Sequence, residues 1–144
     1  MPNTKANDSH RPLDERHQLR AARFQQLFSW TFTSERVISG KSDAASEIKP
    51  ILSKLDVLDT IIAPAAPERP LADINKVDLT ILRLMVWEAN TADTPKKVLV
   101  DEGIELAKAY GTESSPKFIN ATLARLLLEE FQASQDLQGG VDLA

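Results

Sequence analysis

Three arginines near the start of the chain are the residues best suited to bind an anion. Arg16, Arg20 and Arg23 fall within about 60° of arc on a helix, because each residue adds about 100°, and no acidic side chain lies between them. Guanidinium groups form paired hydrogen bonds with phosphate and stack on exposed bases. Phe24 and Phe28 follow Arg20 at four-residue spacing, so the pattern favours an RNA-binding strip of charge and rings.

The same pattern has a second interpretation, in which the helix serves packing alone. Arginine stems can lie along apolar surface and leave only their charged ends in water. Phe24, Leu27 and Trp30 would then face the core of the protein. The residues by themselves leave both interpretations open.

A second candidate site is the tetrapeptide Lys117-Phe118-Ile119-Asn120, at the start of the last predicted helix. Phe118 lies about 100° from Ile119, at the edge of the buried stripe, and is therefore expected to be partly exposed. Lys117 would supply a point charge and Phe118 a stacking platform, and the free N–H groups of the first helical turn would attract phosphate. Packing of Phe118 in the core is the alternative.

The sequence contains no pattern typical of a catalytic or metal-binding site. It has no glycine-rich phosphate loop, no paired-histidine motif, no nucleophile setting and no cysteine. His10 and His17 fall in a polar arm and on the first helix, where surface positions are expected. Asp101, Glu105 and Lys108 share one solvated helix face, which ion pairs at helical spacing explain. We therefore expect a non-enzymatic protein with no catalytic residue, metal or cofactor.

Composition and length predict one soluble domain. The chain has 144 residues, of which 42% are hydrophobic and 26% charged, a size and balance typical of a single globular unit. No apolar run approaches the roughly twenty residues that cross a bilayer, and no secretory signal opens the chain, so a cytoplasmic protein is expected. The net charge of −4 argues against a wholly basic nucleic-acid-binding surface. Any RNA binding must therefore be local.

Hydrophobic spacing predicts an all-α bundle of five principal helices and no strands. Residues 13–133 form the predicted domain, between disordered arms at 1–12 and 134–144. The first helix is expected to run from a cap at Asp14 to about Phe32, before a loop.

The second predicted helix is a single one that starts near Ser46. It must start there because a proline beyond the first turn, here Pro50, would cost roughly 3 kcal/mol. Its buried stripe consists of Ile48, Ile51, Leu52, Leu55, Leu58, Ile61 and Ile62. A stiff, proline-rich connector follows, with a short helical turn near residues 71–74.

Residues 75–89 predict a central helix, because they are apolar nearly all the way round. Glu88 shares a side of this helix with apolar residues, so its carboxylate needs hydrogen bonds or a cationic partner. The next helix is expected to start with Thr94 as its cap and Pro95 at its first position, and Gly111 ends it. Ser-Pro at residues 115–116 opens the last helix.

Several of these stretches, taken together, resemble the NusB family. The run DTPKKVLVDEGIELAKAYG at residues 93–111 is similar to a family signature that passes from Pro-x-Lys-Val through Asn-Glu-Ala to Glu-Leu-Ala-Lys and an aromatic-Gly end. KFIN at 117–120 resembles the family's Lys-Phe-Val-Asn-Gly, and residues 77–88 resemble its central helix. Matches in the first helix extend the resemblance from Arg16 to Leu128.

The resemblance implies a fold of two small helical bundles and a role in transcription antitermination. Family members bind boxA RNA together with the small-subunit ribosomal protein that acts as NusE, and so stabilise antiterminating RNA polymerase complexes, including those on ribosomal RNA operons. The RNA-binding residues that carry over are Arg16, Arg20, Phe28, Lys117, Phe118 and Asn120. Asp78 matches a position at the protein interface and Glu88 one in the core. Monomer and homodimer both remain open.

The chain also departs from the family pattern. His17, Gln18 and Leu19 thin the arginine-rich start, and Ala21 replaces a usual Glu. Further replacements are Asp101, Gly103, Pro116 and Ala121. The segment between the first two helices looks shorter than usual, which predicts a trimmed first bundle. Two alternatives follow: a protein-interaction adaptor whose RNA surface has decayed, and a stand-alone relative of the NusB-like domain of ribosomal RNA cytosine methyltransferases.

Overall fold

The computed structural model describes residues 13–33 and 43–129, and every regular element in these ranges is helical. The α-helices are α1 (Leu13–Thr33), α2 (Asp43–Leu52), α3 (Leu55–Ile62), α4 (Lys76–Thr91), α5 (Lys96–Tyr110) and α6 (Ser115–Leu127). Two short 3-10 turns, Ala63–Ala65 and Leu71–Asp73, connect α3 to α4. The predicted all-α class is confirmed. The predicted arms and the segment 34–42, where the first bundle was expected to be trimmed, lie outside the described residues.

The predicted second helix is in fact two helices. α2 begins at Asp43, so Pro50 lies well inside it rather than in its first turn. Proline has no N–H to continue the ladder, and the Ser53 hydroxyl donates to the Pro50 carbonyl at 2.9 Å, a local bond that competes with helix formation. The chain turns at Ser53 and Lys54 before α3 begins. The apolar stripe continues across this break, which is why spacing alone predicted one helix.

The central position predicted for α4 is confirmed. This helix packs against α1, α3, α5 and α6. Its fully buried apolar side chains are Ile81, Leu82, Leu84, Met85 and Val86. A helix covered on all sides needs apolar residues around its whole circumference, as this sequence supplies.

α5 and α6 approach each other closely at Gly103. A Cβ atom built on Gly103 would lie 2.5 Å from Leu123 Cδ1 on α6 and 3.4 Å from Ile119 Cγ2. The absence of a side chain therefore allows two large aliphatic residues of α6 to fill this space. Gly103, which departs from the Asn-Glu-Ala motif, is explained by this packing.

The predicted boundaries of α5 and α6 are correct to within two residues. α5 ends at Tyr110, with Gly111 as its C-cap, and α6 starts at Ser115, as expected. Thr94 does not cap α5, because its hydroxyl donates instead to Glu88 at 2.8 Å, and the cap position falls on Pro95. The 3-10 turn at Leu71–Asp73 confirms the turn predicted in the connector. Within the described ranges, no helix is long and apolar enough to cross a membrane.

Candidate nucleic-acid interface

Arg20 lies inside the protein, where its guanidinium group binds the carboxylate of Glu88. Nε donates to both carboxylate oxygens, at 3.0 and 3.2 Å, and Nη2 donates to Oε2 at 2.7 Å. Arg20 is only 4% exposed and Glu88 is equally buried. The predicted need of Glu88 for a cationic partner is confirmed, and the partner is an arginine of α1.

Three further side chains complete this buried arginine cluster, which consists of His17, Arg20, Glu88, Thr94 and Glu102. Thr94 donates to Glu88, as described above, and Glu102 of α5 lies 3.8 Å from Arg20 Nη1. His17 Nδ1 lies 2.7 Å from Glu102 Oε1. The cluster thus joins α1, α4 and α5 through charge-assisted hydrogen bonds, which are stronger than neutral ones.

The expectation of an exposed arginine strip is therefore wrong for Arg20. Arg20 faces α4 and α5, whereas Arg16 and Arg23 are half-buried side chains on the same helix. Helical spacing correctly places the three arginines on one side of α1, but that side includes the contact with α4. A buried carboxylate on α4 makes it favourable for the middle arginine to be buried as well.

An aromatic ladder continues along α1 and joins it to α5. Phe24 and Phe28 stack with ring centroids 5.7 Å apart, and Phe28 meets Phe32 edge to face at 5.0 Å. Phe24 is buried and also stacks on Tyr110 at 4.8 Å, while the Tyr110 hydroxyl accepts a hydrogen bond from Gln25 at 2.6 Å. Phe28 is half-buried, which leaves part of its ring accessible to solvent.

The start of α6 presents Lys117 and Asn120 to solvent, and Phe118 is half-buried. Residues three apart on a helix are neighbours on its surface, so the two polar side chains lie on the same side. Phe118 packs against the edge of the core, which confirms its predicted partial exposure. The three predicted RNA-binding residues thus share the first turns of α6, but the ring of Phe118 projects about 100° away from Lys117 and about 160° away from Asn120.

Sequence reasoning missed Arg69, which lies in the connector between the two 3-10 turns. Its Cζ atom lies 4.5 Å from the centroid of the Phe118 ring, a distance at which a guanidinium group is attracted to the ring face. Arg69 is half-buried. The connector has no helical periodicity, so no spacing argument could link this arginine to α6.

Asp78 is 2% exposed, in the first turn of α4. Its backbone N–H donates to the Asn75 side chain at 2.8 Å, and its carboxylate accepts from Asn75 at 3.2 Å. Burial raises the pKa of Asp78, while the nearby Ser115 hydroxyl, the hydrogen bond from Asn75 and the charge of Arg69 oppose that rise. Because the Asp78 carboxylate is buried, a partner protein would contact the residues that cover it. The role of Asp78 at a protein interface stays a prediction.

The predicted site residues thus lie in several places. Lys117, Phe118 and Asn120 share the first turns of α6, Arg16 is half-buried on α1, and Asp78 is buried at the start of α4. Phe28 is linked to this region through Phe24 and Tyr110, because Tyr110 ends α5 just before the turn into α6. Arg20 is withdrawn into the core.

In the described residues, an α-helical bundle presents exposed cationic side chains and partly exposed rings, a combination that suits a surface for binding other molecules. The family model described as "NusB family" matches residues 17–127. The chain therefore belongs to the NusB family.

Individual relatives agree with this assignment. The transcription antitermination protein NusB of Campylobacter concisus is 32% identical over 124 residues, which cover 77% of this chain and 95% of the relative. The protein of the same name from Lachnoclostridium phytofermentans is 38% identical over 105 residues, covering 72% of this chain and 75% of the relative.

A solved structure of NusB from Thermotoga maritima has the same fold. It superposes with a TM-score of 0.68 at 31% identity, over 78% of this chain and 90% of that one. The relatives are named as antitermination proteins, which is a non-enzymatic role, in agreement with the expectation from sequence.

Proposed function

We propose that this protein is a transcription antitermination factor that binds boxA-type RNA together with a small-subunit ribosomal protein acting as NusE. It acts in the cytoplasm and reaches RNA polymerase indirectly, through the complex that these partners form. The observation that carries the proposal is the exposed Lys117 next to the half-buried Phe118 at the start of α6, with Asn120 exposed on the same side as Lys117, in a member of the NusB family.

Local charge explains how an acidic protein can bind RNA. Lys117 offers an ammonium group to a phosphate, and Asn120 can donate to or accept from a base edge. Phe28 and Arg16 extend the RNA-binding surface along α1. Arg20 contributes by holding α1 against α4 and α5, because its guanidinium group is already bonded to Glu88.

A titration of labelled boxA RNA, with and without the ribosomal protein, tests the proposal. We expect binding that weakens as salt rises, because phosphate contacts release counterions, and a loss of affinity in Lys117→Gln. Lys97→Gln is the matched control. Lys97 is an exposed lysine near the start of α5, about 20 Å from Tyr110 at the end of that helix, at 1.5 Å per residue. No binding at low salt, with or without the ribosomal protein, would count decisively against the proposal.

The burial of Arg20 favours one alternative, a protein-interaction adaptor whose RNA surface has decayed. Withdrawal of this arginine leaves fewer cations on α1 than the sequence predicted. In that case the ribosomal protein would bind wild type and Lys117→Gln with equal affinity. Neither wild type nor Lys117→Gln would bind the RNA.

A further inference from the structure

We propose that Arg69 is an RNA-phosphate-binding residue, and that Phe118 acts mainly by holding Arg69 in place. This inference rests on the proposed function, because it assigns the ligand of Arg69 to the same single-stranded RNA. The surface concerned, the α6 surface, consists of Arg69, Phe118 and the neighbouring Lys117, with Asn120 at its margin.

The first argument is that Arg69 covers a face of the Phe118 ring. With Cζ 4.5 Å from the ring centroid, the guanidinium group occupies the position that a stacked nucleobase would need. The remainder of the ring packs against the core. A base that reaches this surface therefore meets the guanidinium group before it meets the ring.

The second argument is that the donors of Arg69 are available. A guanidinium group has five N–H donors in a planar fork, and among the described residues none of them forms a hydrogen bond or an ion pair with a protein group. The contrast with Arg20, which is bonded to Glu88 through Nε and Nη2, is direct. Arg69 is oriented by the ring without using the groups that bind phosphate.

The third argument is that neighbouring side chains suit the same ligand. Lys117 precedes Phe118 directly, and Asn120 lies on the same side of α6 as Lys117; both are exposed. The carboxyl group on which Arg69 acts, that of Asp78, is buried beneath the surface. A phosphodiester of an extended RNA strand could thus contact Arg69 and Lys117 in succession.

The salt dependence of RNA binding tests this assignment in the full-length protein. Each phosphate contact to a single strand contributes about 0.7 to the slope of log K against log salt. The slope is measured for wild type, Arg69→Gln, Arg69→Lys and the control Lys97→Gln. The probes are a boxA-type oligoribonucleotide and an oligouridylate of equal length.

We expect Arg69→Gln to lower the slope by about 0.7 and to weaken binding about tenfold or more at low salt, as for a hydrogen bond to a charged group. Arg69→Lys keeps the charge but loses the planar fork, so it should retain most of the slope and an intermediate affinity. Lys97→Gln should leave both quantities unchanged. Thermal melting of each variant verifies that it is folded.

A double-mutant cycle with Phe118→Leu tests the positioning role. If Phe118 acts through Arg69, the double variant loses no more RNA affinity than the weaker-binding single variant. Fully additive losses would mean that the ring contacts RNA itself, and would overturn the positioning role.

The remaining outcomes separate this inference from the proposed function. If wild type binds RNA and Arg69→Gln keeps the wild-type slope, the phosphate contact of Arg69 is overturned while the proposed function stands. If wild type binds the boxA and uridylate oligonucleotides equally, the slope still decides the role of Arg69, but the boxA assignment fails. If wild type binds neither oligonucleotide at low salt, both proposals are overturned.

Discussion

The buried arginine cluster and the α6 surface use the same side-chain type for opposite purposes. Arg20 is 4% exposed and is bonded to Glu88 by three short N–O contacts. Arg69 is half-buried and rests on an aromatic ring; among the described residues its guanidinium group forms no hydrogen bond, although its charge acts on the buried Asp78 carboxyl group. A carboxylate partner consumes the hydrogen-bonding capacity of a guanidinium group, whereas a ring partner only fixes its position.

If Arg69 binds RNA as proposed, the partner of an arginine, rather than its helical spacing, decides whether that arginine stabilises the fold or binds a ligand. Removing a member of the buried arginine cluster should therefore change the free energy of unfolding. Removing a polar member of the α6 surface should change RNA affinity and leave stability nearly unaltered.

Glu88→Gln should have the largest effect on stability. It leaves the buried guanidinium group of Arg20 without its main countercharge, a change that costs about 3–5 kcal/mol of unfolding free energy. Urea denaturation followed by circular dichroism measures the loss. The matched control is Glu105→Gln, which breaks an exposed pair with Lys108 and should change stability by less than about 0.5 kcal/mol. Equal losses in the two variants would contradict the assigned importance of burial.

Thr94→Val should have a smaller effect within the same cluster. The substitution keeps the shape of the side chain but removes the hydroxyl that donates to Glu88, which should cost about 1 kcal/mol. Thr91→Val is the control, because the Thr91 hydroxyl is exposed and bonds only to the Trp87 carbonyl of its own helix. Denaturation curves in which Thr91→Val loses more stability than Thr94→Val would argue against an important bond to Glu88.

Arg69→Gln should cost less than about 1 kcal/mol of unfolding free energy, the usual worth of a cation–π contact that is not fully buried. Its effect should appear in RNA binding instead. Comparison with Arg20→Gln, in the same denaturation assay, gives the sharpest form of the contrast between the two regions. A loss in Arg69→Gln as large as that in Arg20→Gln would show that Arg69 is a structural residue.

Asp78→Asn tests a buried carboxyl group that accepts fewer hydrogen bonds than Glu88 does. Because burial raises the pKa of Asp78 in the folded protein, the folded state favours the protonated form, and ionisation above the ordinary pKa near 3.8 reduces stability. The stability of Asp78→Asn relative to wild type should therefore increase as pH rises from below that value towards neutrality. Denaturation at several pH values measures this change, and a pH-independent difference would refute it.

Local sequence signals predicted most of the helix boundaries, because proline, glycine and capping residues act within a few positions of themselves. Gly111 and Ser115 bound the turn between α5 and α6 as expected. The break between α2 and α3 was not predicted, since the apolar stripe continues through it. Thr94 was misassigned as a cap because its hydroxyl has a better acceptor in Glu88, a residue that local rules ignore.

The candidate site was less predictable, since it depends on which residues meet across the fold. Lys117, Phe118 and Asn120 could be identified because they are consecutive or nearly so on one helix. The burial of Arg20 depends on a carboxylate 68 positions later, and the position of Arg69 depends on a ring in a different element. Helical periodicity relates residues within one helix, so it can predict neither of these two contacts.

The sequence separation within the buried arginine cluster also bears on protein synthesis. Arg20 leaves the ribosome early, whereas its bonding partners, Glu88 and Glu102, are added 68 and 82 residues later. Until then, docking of α1 would place a guanidinium group in an apolar environment without a counterion, which is strongly unfavourable. α1 is therefore locked into place only after α5 has been translated, and a nascent chain that stops short of α5 should leave α1 open to proteases.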